Sequence, residues 1–531
     1  MSHRTFPVYS AWSLEIVVEY GQRARRPNFC FRSSQSYINS CCLVARSHKY
    51  SLFTSSLIYG IGDLLTKGAR IVLLPIYVVA LTSDQLGEIA ICQAISLGTW
   101  NLLSFGSFQY VLRFYNSTDQ LFRSASTSET LVSTLWCIRF VAGLATGALL
   151  AILFLLWSNM VMATLPVSLV LGSIATGHFR GAISVTEHSL IAAKSPLRYR
   201  ALTFLVFLSS AALIIFLILV MKCGVWGVVI GECAALGTWA MGLGAWHFFK
   251  ARPVFTGVRW AKLVAFCLPI VPHAVFMSGL VGADRLILSG FVEKGDIGIY
   301  DISYLLGSGI AIAGAALLLP WLPEYYRREN LKEAGDYFMK RSGLQIVVCL
   351  MIAITTNLFA YEMACVMVSK YATESVSIIR LILPAAYFMM LAALFVKPLI
   401  HLKQTRTIAS LSGAALALNL ALNFLLDPSH GIYGAAYSSI AAYLFLAMGA
   451  MFVSTRQLNL KWVVGSGKVV RIAAVAMLFY LAGMILPYEF SVSFVLLKIA
   501  IAFLAWGLVF TRLDLMNPSG PKFRLDLSVC Q

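Results

Sequence analysis

The chain has 531 residues, 59% of them hydrophobic and only 12% charged, with a mean hydropathy of +0.80. Soluble globular domains carry about twice that share of charge, which excludes a soluble enzyme and makes length a poor guide to domain number. A net charge of +18 would suggest nucleic acid only with a soluble basic domain to carry it, and none is present.

Residues 1–50 are rich in Arg and Ser, with Arg23, Arg25 and Arg26 clustered. They hold no apolar run long enough for a secretory signal. Two readings stay open: a disordered cytoplasmic tail, or a stretch upstream of the true start. From residue 51 onward the sequence predicts fourteen spans, at about 52–81, 86–112, 131–157, 160–186, 201–221, 224–249, 262–291, 297–323, 342–363, 376–400, 406–426, 431–454, 469–487 and 491–512. At 1.5 Å per helical residue each can cross a hydrocarbon core of roughly 30 Å. With the first span running outward, inside segments hold 30 of the 41 Lys and Arg, and outside loops hold 4 (Lys222, Lys294, Lys370, Arg380). The other 7 lie within spans. Positive charge stays on the cytoplasmic side, so both termini are expected there. The surplus charge marks topology and contact with anionic membrane lipids. The 11 cysteines are scattered, with one Cys41–Cys42 pair and no CxxC or Cys/His spacing, so no disulfide framework and no metal site is expected.

The second span opens Leu86-Gly87-Glu88-Ile89 after Ser83-Asp84, and the eighth opens Ile297-Gly298-Ile299-Tyr300 after Gly295-Asp296. The sixth opens Gly224-Val225-Trp226-Gly227 and the twelfth Gly431-Ile432-Tyr433-Gly434. Offsets of about 211 and 207 residues imply two homologous lobes in the same orientation. Transporters place substrate paths at such repeat interfaces. The expected fold is an all-α polytopic membrane protein: two six-helix lobes in a pseudo-twofold arrangement (51–250 and 251–456), accessory spans 13–14 (457–512) and a cytoplasmic tail (513–531). The accessory pair would close a groove or hold a lipid tail. The charged segment 324–341 reads as an amphipathic helix on the inner surface.

Ionisable groups inside spans are costly and normally face a protein-lined or wet interior. Span 1 carries Asp63, Lys67 and Arg70 at i, i+4 and i+7, one helical stripe. Either the stripe faces a cavity and offers Lys67 and Arg70 to an anion, or Asp63 and Lys67 neutralise each other. Arg139 is a cavity candidate, and Arg180 either lines the cavity or snorkels to the interface. Asp284 and Arg285 are helix neighbours about 100° apart, so they are expected not to face each other and one of them to bind another helix. Lys397 and Lys498 either line the cavity or snorkel. Glu232, Asp284, Asp301 and Asp63 are the acidic candidates for ion coupling. Seven intramembrane cations against four clear anions suit an anionic, phosphate-bearing substrate. His273 reads as a packing or helix-bonding histidine. No GxxxxGK[ST], HExxH or GxSxG motif points to an enzyme, and no cofactor is expected.

Three stretches carry a family pattern. Span 1 reads Tyr59-Gly60-Ile61-Gly62-Asp63-Leu64-Leu65-Thr66-Lys67-Gly68, then Leu74-Pro75-Ile76-Tyr77 and Leu81-Thr82-Ser83-Asp84-Gln85-Leu86-Gly87. Span 2 ends Phe105-Gly106, then Val111-Leu112-Arg113-Phe114-Tyr115. Span 7 reads Leu268-Pro269-Ile270-Val271-Pro272, then Ala283-Asp284-Arg285-Leu286-Ile287-Leu288-Ser289. Over residues 51–512 the chain resembles the Wzx-type oligosaccharide flippases, the polysaccharide-transporter branch of a superfamily that also holds multidrug extruders and the lipid II flippase. The resemblance implies alternating access that carries polyprenyl-diphosphate-linked oligosaccharide units to the outer leaflet of a bacterial cytoplasmic membrane, for O-antigen, capsule or exopolysaccharide. It does not settle the energy source, an H+ or Na+ gradient being the candidates with Asp63 or Glu232 as the coupling site, and it points to a polysaccharide polymerase and chain-length regulator as partners. Lys67, Arg70 and Arg139 are the leading diphosphate contacts, with Arg180, Arg285 and Lys397 behind them. The competing expectation is a cation-coupled exporter of drugs or small solutes from the same superfamily.

Overall fold

A computed structural model describes residues 69–115, 127–161, 165–268, 270–318, 321–328, 330–458, 478–481, 483–484 and 491–512. Within them the chain is helical throughout. The N-terminal half comprises α1 (Ala69–Ala80), α2 (Ser83–Leu103), α3 (Ser107–Phe114), α4 (Ser128–Val161), α5 (Val167–Ala192), α6 (Pro196–Ile215, continued by a π turn over Phe216–Val220) and α7 (Val225–Lys250). The C-terminal half comprises α8 (Trp260–Cys267), α9 (Ile270–Leu288), α10 (Lys294–Gly307), α11 (Gly309–Leu318), α12 (Leu322–Arg327), α13 (Leu331–Leu358), α14 (Ala360–Met367), α15 (Ala372–His401), α16 (Thr405–His430) and α17 (Ile432–Gln457). α18 (Val492–Arg512) follows. Nine helical stretches among the described residues are long and apolar enough to cross a membrane, and the protein is a multi-pass membrane protein. α2 and α5 are not among the nine. They are surrounded by other helices instead of lipid, so polar residues on them need not meet hydrocarbon.

Backbone geometry recurs at the spacing read from the sequence. Gly224 and Gly431 cap α7 and α17 with nearly the same angles, φ 56, ψ −132 and φ 55, ψ −134, a region that glycine alone enters without steric cost. α5 and α15 both end on a left-handed lysine, Lys194 (φ 52) and Lys403 (φ 58). In each case that residue's N–H and the next one's reach back to the last turn: Lys194 to Ile191 and Ser195 to Leu190, Lys403 to Ile400 and Gln404 to Leu399. The cations there also suit the negative end of the helix dipole. Packing follows the same scheme. α5 lies against α2, α4 and α7, and α15 against α10, α13 and α17.

The halves meet along α2, which packs on both α9 and α10. Two glycines set that approach. A Cβ at Gly87 would strike the Lys294 carbonyl, and one at Gly298 the Ser83 carbonyl. Lys294 Nζ closes the same corner by binding Glu88 Oε1 at 2.6 Å. The charge rule expects this corner at the outer end.

Several expectations are corrected. Segment 324–341 is not one surface helix: α12 stops at Arg327, and from Leu331 the charged residues form the first turns of the long α13, capped by Asn330, whose side chain accepts from the Lys332 N–H. Lys498 neither lines a cavity nor snorkels; its Nζ is buried and binds Glu362 Oε1 at 2.6 Å. Arg380 is not in an outside loop but buried within α15, where Nη1 donates to the Met484 carbonyl at 3.3 Å. Asn357 Nδ2 donates to the Tyr480 carbonyl at 2.8 Å, and Trp506 Nε1 to Thr355 Oγ1 at 3.2 Å. The C-terminal segments are thus fixed to α13–α15 by polar bonds, of which Lys498–Glu362 is buried.

Candidate functional site

A cavity of about 210 Å³ lies between the halves, walled by α1, α2, α9 and α10. Leu74 and Tyr77 of α1, Gln93 and Leu97 of α2, Arg285 of α9, Asp301 and Tyr304 of α10, and Ser308 just after it face it. It is smaller than the roughly 300–1,000 Å³ of pockets for drug-sized ligands, as expected of a state whose halves are drawn together.

A buried network forms its far wall. Arg285 Nη1 binds Asp284 Oδ1 at 2.6 Å, and Arg285 Nε binds Asp301 Oδ1 at 3.1 Å. Nη1 also donates to the Val281 carbonyl at 2.6 Å, and Tyr300 Oη donates to Asp284 Oδ2 at 2.7 Å. The guanidinium lies 4.2 Å from the centre of the Tyr304 ring, close enough for cation–π attraction. Asp284 and Arg285 therefore do pair. The long arginine side chain folds back along its own helix, which the 100° argument left out.

The other expected site residues are dispersed. Asp63 and Lys67 lie outside the described residues, as does the side chain of Arg70. Arg139 does not face the cavity. It is buried between α4 and α5, 1% exposed, and its guanidinium nitrogens meet no acceptor among the described residues. Gly181 and Gly143 make room for it and for His178, whose ring nitrogens are equally unpartnered. Arg180 is exposed and stands over Trp100, its Cζ 5.5 Å from the ring centre. Lys397 is half-buried on α15. Glu232 lines a nook of about 10 Å³ with Gln93, Ser173 and Thr176, so Gln93 borders both spaces. His273 Nδ1 is 3.0 Å from Ser412 Oγ, a helix-to-helix bond.

Sequence reasoning missed a polar stripe on α16. Asn419, Asn423 and Asp427 recur every fourth residue and are buried. Asn423 Nδ2 donates to Asn419 Oδ1 at 3.2 Å. Among the described residues neither Asp427 carboxylate oxygen nor Asn423 Oδ1 has a hydrogen-bond partner, and Asp427 lies within electrostatic reach of Asp284. The spacing is visible in the sequence, but the span expected over 406–426 stops one residue short of Asp427.

No family model matches the chain, and no curated protein sequence does. Solved structures do. The chain is similar to a lipid II flippase, MurJ, in an inward closed conformation (12% identity, 86% of this chain and 99% of that one, TM-score 0.61). It is also similar to the MATE multidrug transporter DinF-BH (12%, 79% and 98%, TM-score 0.59) and to the Vibrio cholerae MATE transporter VcmN (13%, 77% and 98%, TM-score 0.51). At such identities the likeness establishes the fold, which is that of these transporters and flippases.

Proposed function

We propose that this chain flips polyprenyl-diphosphate-linked oligosaccharide units across a bacterial cytoplasmic membrane by alternating access, for surface polysaccharide synthesis. One observation carries the reading. Leu74 and Tyr77 of α1 face the cavity between the halves. On the helix expected there from the sequence, the spacing 63-67-70-74-77 puts Asp63, Lys67 and Arg70 on one stripe with them. Cations placed there along the path offset the cost of moving a diphosphate through a low-dielectric region. Loss of the chain should leave the lipid-linked intermediate on the inner leaflet and abolish surface glycan. Replacing Lys67 and Arg70 together by alanine should cut export more than tenfold at unchanged membrane abundance, since charge-assisted bonds are worth about 1.5–3 kcal/mol each. Normal surface glycan without the chain overturns the reading.

The driving ion is assigned to the C-terminal half. Buried carboxylate oxygens with no donor are unstable as bare anions, and a bound monovalent cation or proton neutralises them. Asp427, with Asn423 and Asp284, is the proposed coupling site. Sodium chloride should raise the melting temperature of the wild-type protein above that in choline chloride, and Asp427→Asn should erase the difference. If sodium has no effect and transport also ignores a pH gradient, the assignment falls.

The same carboxylate cluster supports a second reading, a cation-coupled exporter of small solutes. That protein would lose efflux with Asp427→Asn but keep it when Lys67 and Arg70 are replaced.

A further inference from the structure

We propose that Arg180, seated on the Trp100 ring, receives the diphosphate at the inner mouth of the cavity between the halves. The inference rests on the flippase reading and adds to it a phosphate contact outside span 1.

Depth and exposure single out this residue. From Leu169 to Ala192, α5 is buried or half-buried at every position but one, and that one is Arg180. It lies 13 residues from Val167 and 12 from Ala192, about 18–20 Å from either end of the helix. An arginine side chain extends roughly 7 Å from its Cα, too little to carry the charge to a membrane surface by snorkelling. A cation exposed at such depth calls for a wet or protein-lined space.

Local packing aims it at the path. Gly177 lets α5 touch α2, since a Cβ there would strike the Ser96 carbonyl, the Thr99 side chain and the Trp100 backbone nitrogen. Arg180 is three residues further along the same face, and its Cζ stands 5.5 Å from the Trp100 ring centre. Trp100 is in turn three residues past Leu97, which lines the cavity. On the topology expected from the charge rule α2 runs inward, so Arg180 stands about one helical turn inward of Leu97. The ring holds the guanidinium in place by cation–π attraction and takes up none of its five N–H donors. Those donors form the fork that fits a phosphate bidentately. A cargo arriving from the inner leaflet meets this fork before it meets the cavity wall.

Two measurements test the assignment. In inside-out membrane vesicles, Arg180→Cys should react with an impermeant maleimide, read on the peptide that carries residue 180. No reaction would place the side chain in lipid or in packed protein and overturn the inference. The purified full chain is then titrated with farnesyl diphosphate and with farnesol. Arg180→Gln should weaken farnesyl diphosphate binding by about tenfold or more. Arg180→Lys, which keeps the charge and loses the fork, should weaken it less, and Trp100→Leu should weaken it by about threefold. None of the three should alter farnesol binding. Excess phosphatidylglycerol should not displace farnesyl diphosphate; displacement would make Arg180 an ordinary anionic-lipid contact and overturn the inference. Unchanged farnesyl diphosphate binding by Arg180→Gln, or an equal loss of farnesol binding, also overturns it and leaves the flippase reading standing. Failure of the wild type to bind farnesyl diphosphate overturns both.

Discussion

Gly298→Ala should open the outer end of the protein and stop transport. A methyl group there has nowhere to go, because the atoms it meets are the Ser83 carbonyl and the Gly87 N–H of the facing backbone. Neither can rotate away as a side chain would, so α2 and α10 must part. Overpacking of this kind costs about 1–3 kcal/mol, and two conformations of a transporter differ by only a few kcal/mol. The population of the closed state should therefore fall by roughly tenfold or more. The Lys294–Glu88 pair at the same corner is partly exposed, and such a pair is worth at most about 1 kcal/mol. Lys294→Met should shift the balance less than the single methyl does. Ala90, buried at 1% and lining the cavity, gives the readout: Ala90→Cys should react with an impermeant maleimide from outside far faster when Gly298 is replaced by alanine. Unchanged labelling would mean that the glycine crossing does not hold the end shut.

That crossing shows what the sequence reveals and what it withholds. Leu86-Gly87-Glu88 and Ile297-Gly298-Ile299 were visible as a repeated pair, but not that the two copies touch. A sequence repeat reports equivalent positions, whereas contact depends on how the halves pack. The spans themselves were legible because crossing a hydrocarbon core demands long apolar runs, and most described helices fall within a few residues of the expected ones. The charged residues were less legible. Arg139, Arg285 and Lys498 are alike in sequence, each a cation in an apolar run. In the fold one has no acceptor, one is held by two carboxylates, and one binds Glu362 more than a hundred residues away. The expectation of a cationic chamber followed from counting charges without their partners. Among the described residues the chamber wall is close to neutral.

Arg285→Met should be the most destabilising single change in the site. The guanidinium holds Asp284 and Asp301, and Asp284 in turn lies within reach of Asp427, whose carboxylate has no hydrogen-bond partner. Removing the cation leaves Asp284 and Asp301 without their counter-charge. Breaking a buried pair from one side costs about 3–5 kcal/mol, whereas replacing the whole group with neutral residues of similar shape is often neutral. Arg285→Met should therefore lower the melting temperature sharply, and adding Asp284→Asn and Asp301→Asn should restore most of the loss. Tyr300 can still donate to the side-chain amide oxygen that Asp284→Asn provides, so the packing between α9 and α10 survives the triple change. Transport should not return with stability, because the triple variant lacks the Asp284 charge proposed to help bind the coupling ion. Recovery of transport along with stability would show that the network only braces α9 against α10. Full stability of Arg285→Met on its own would show that it does not brace them.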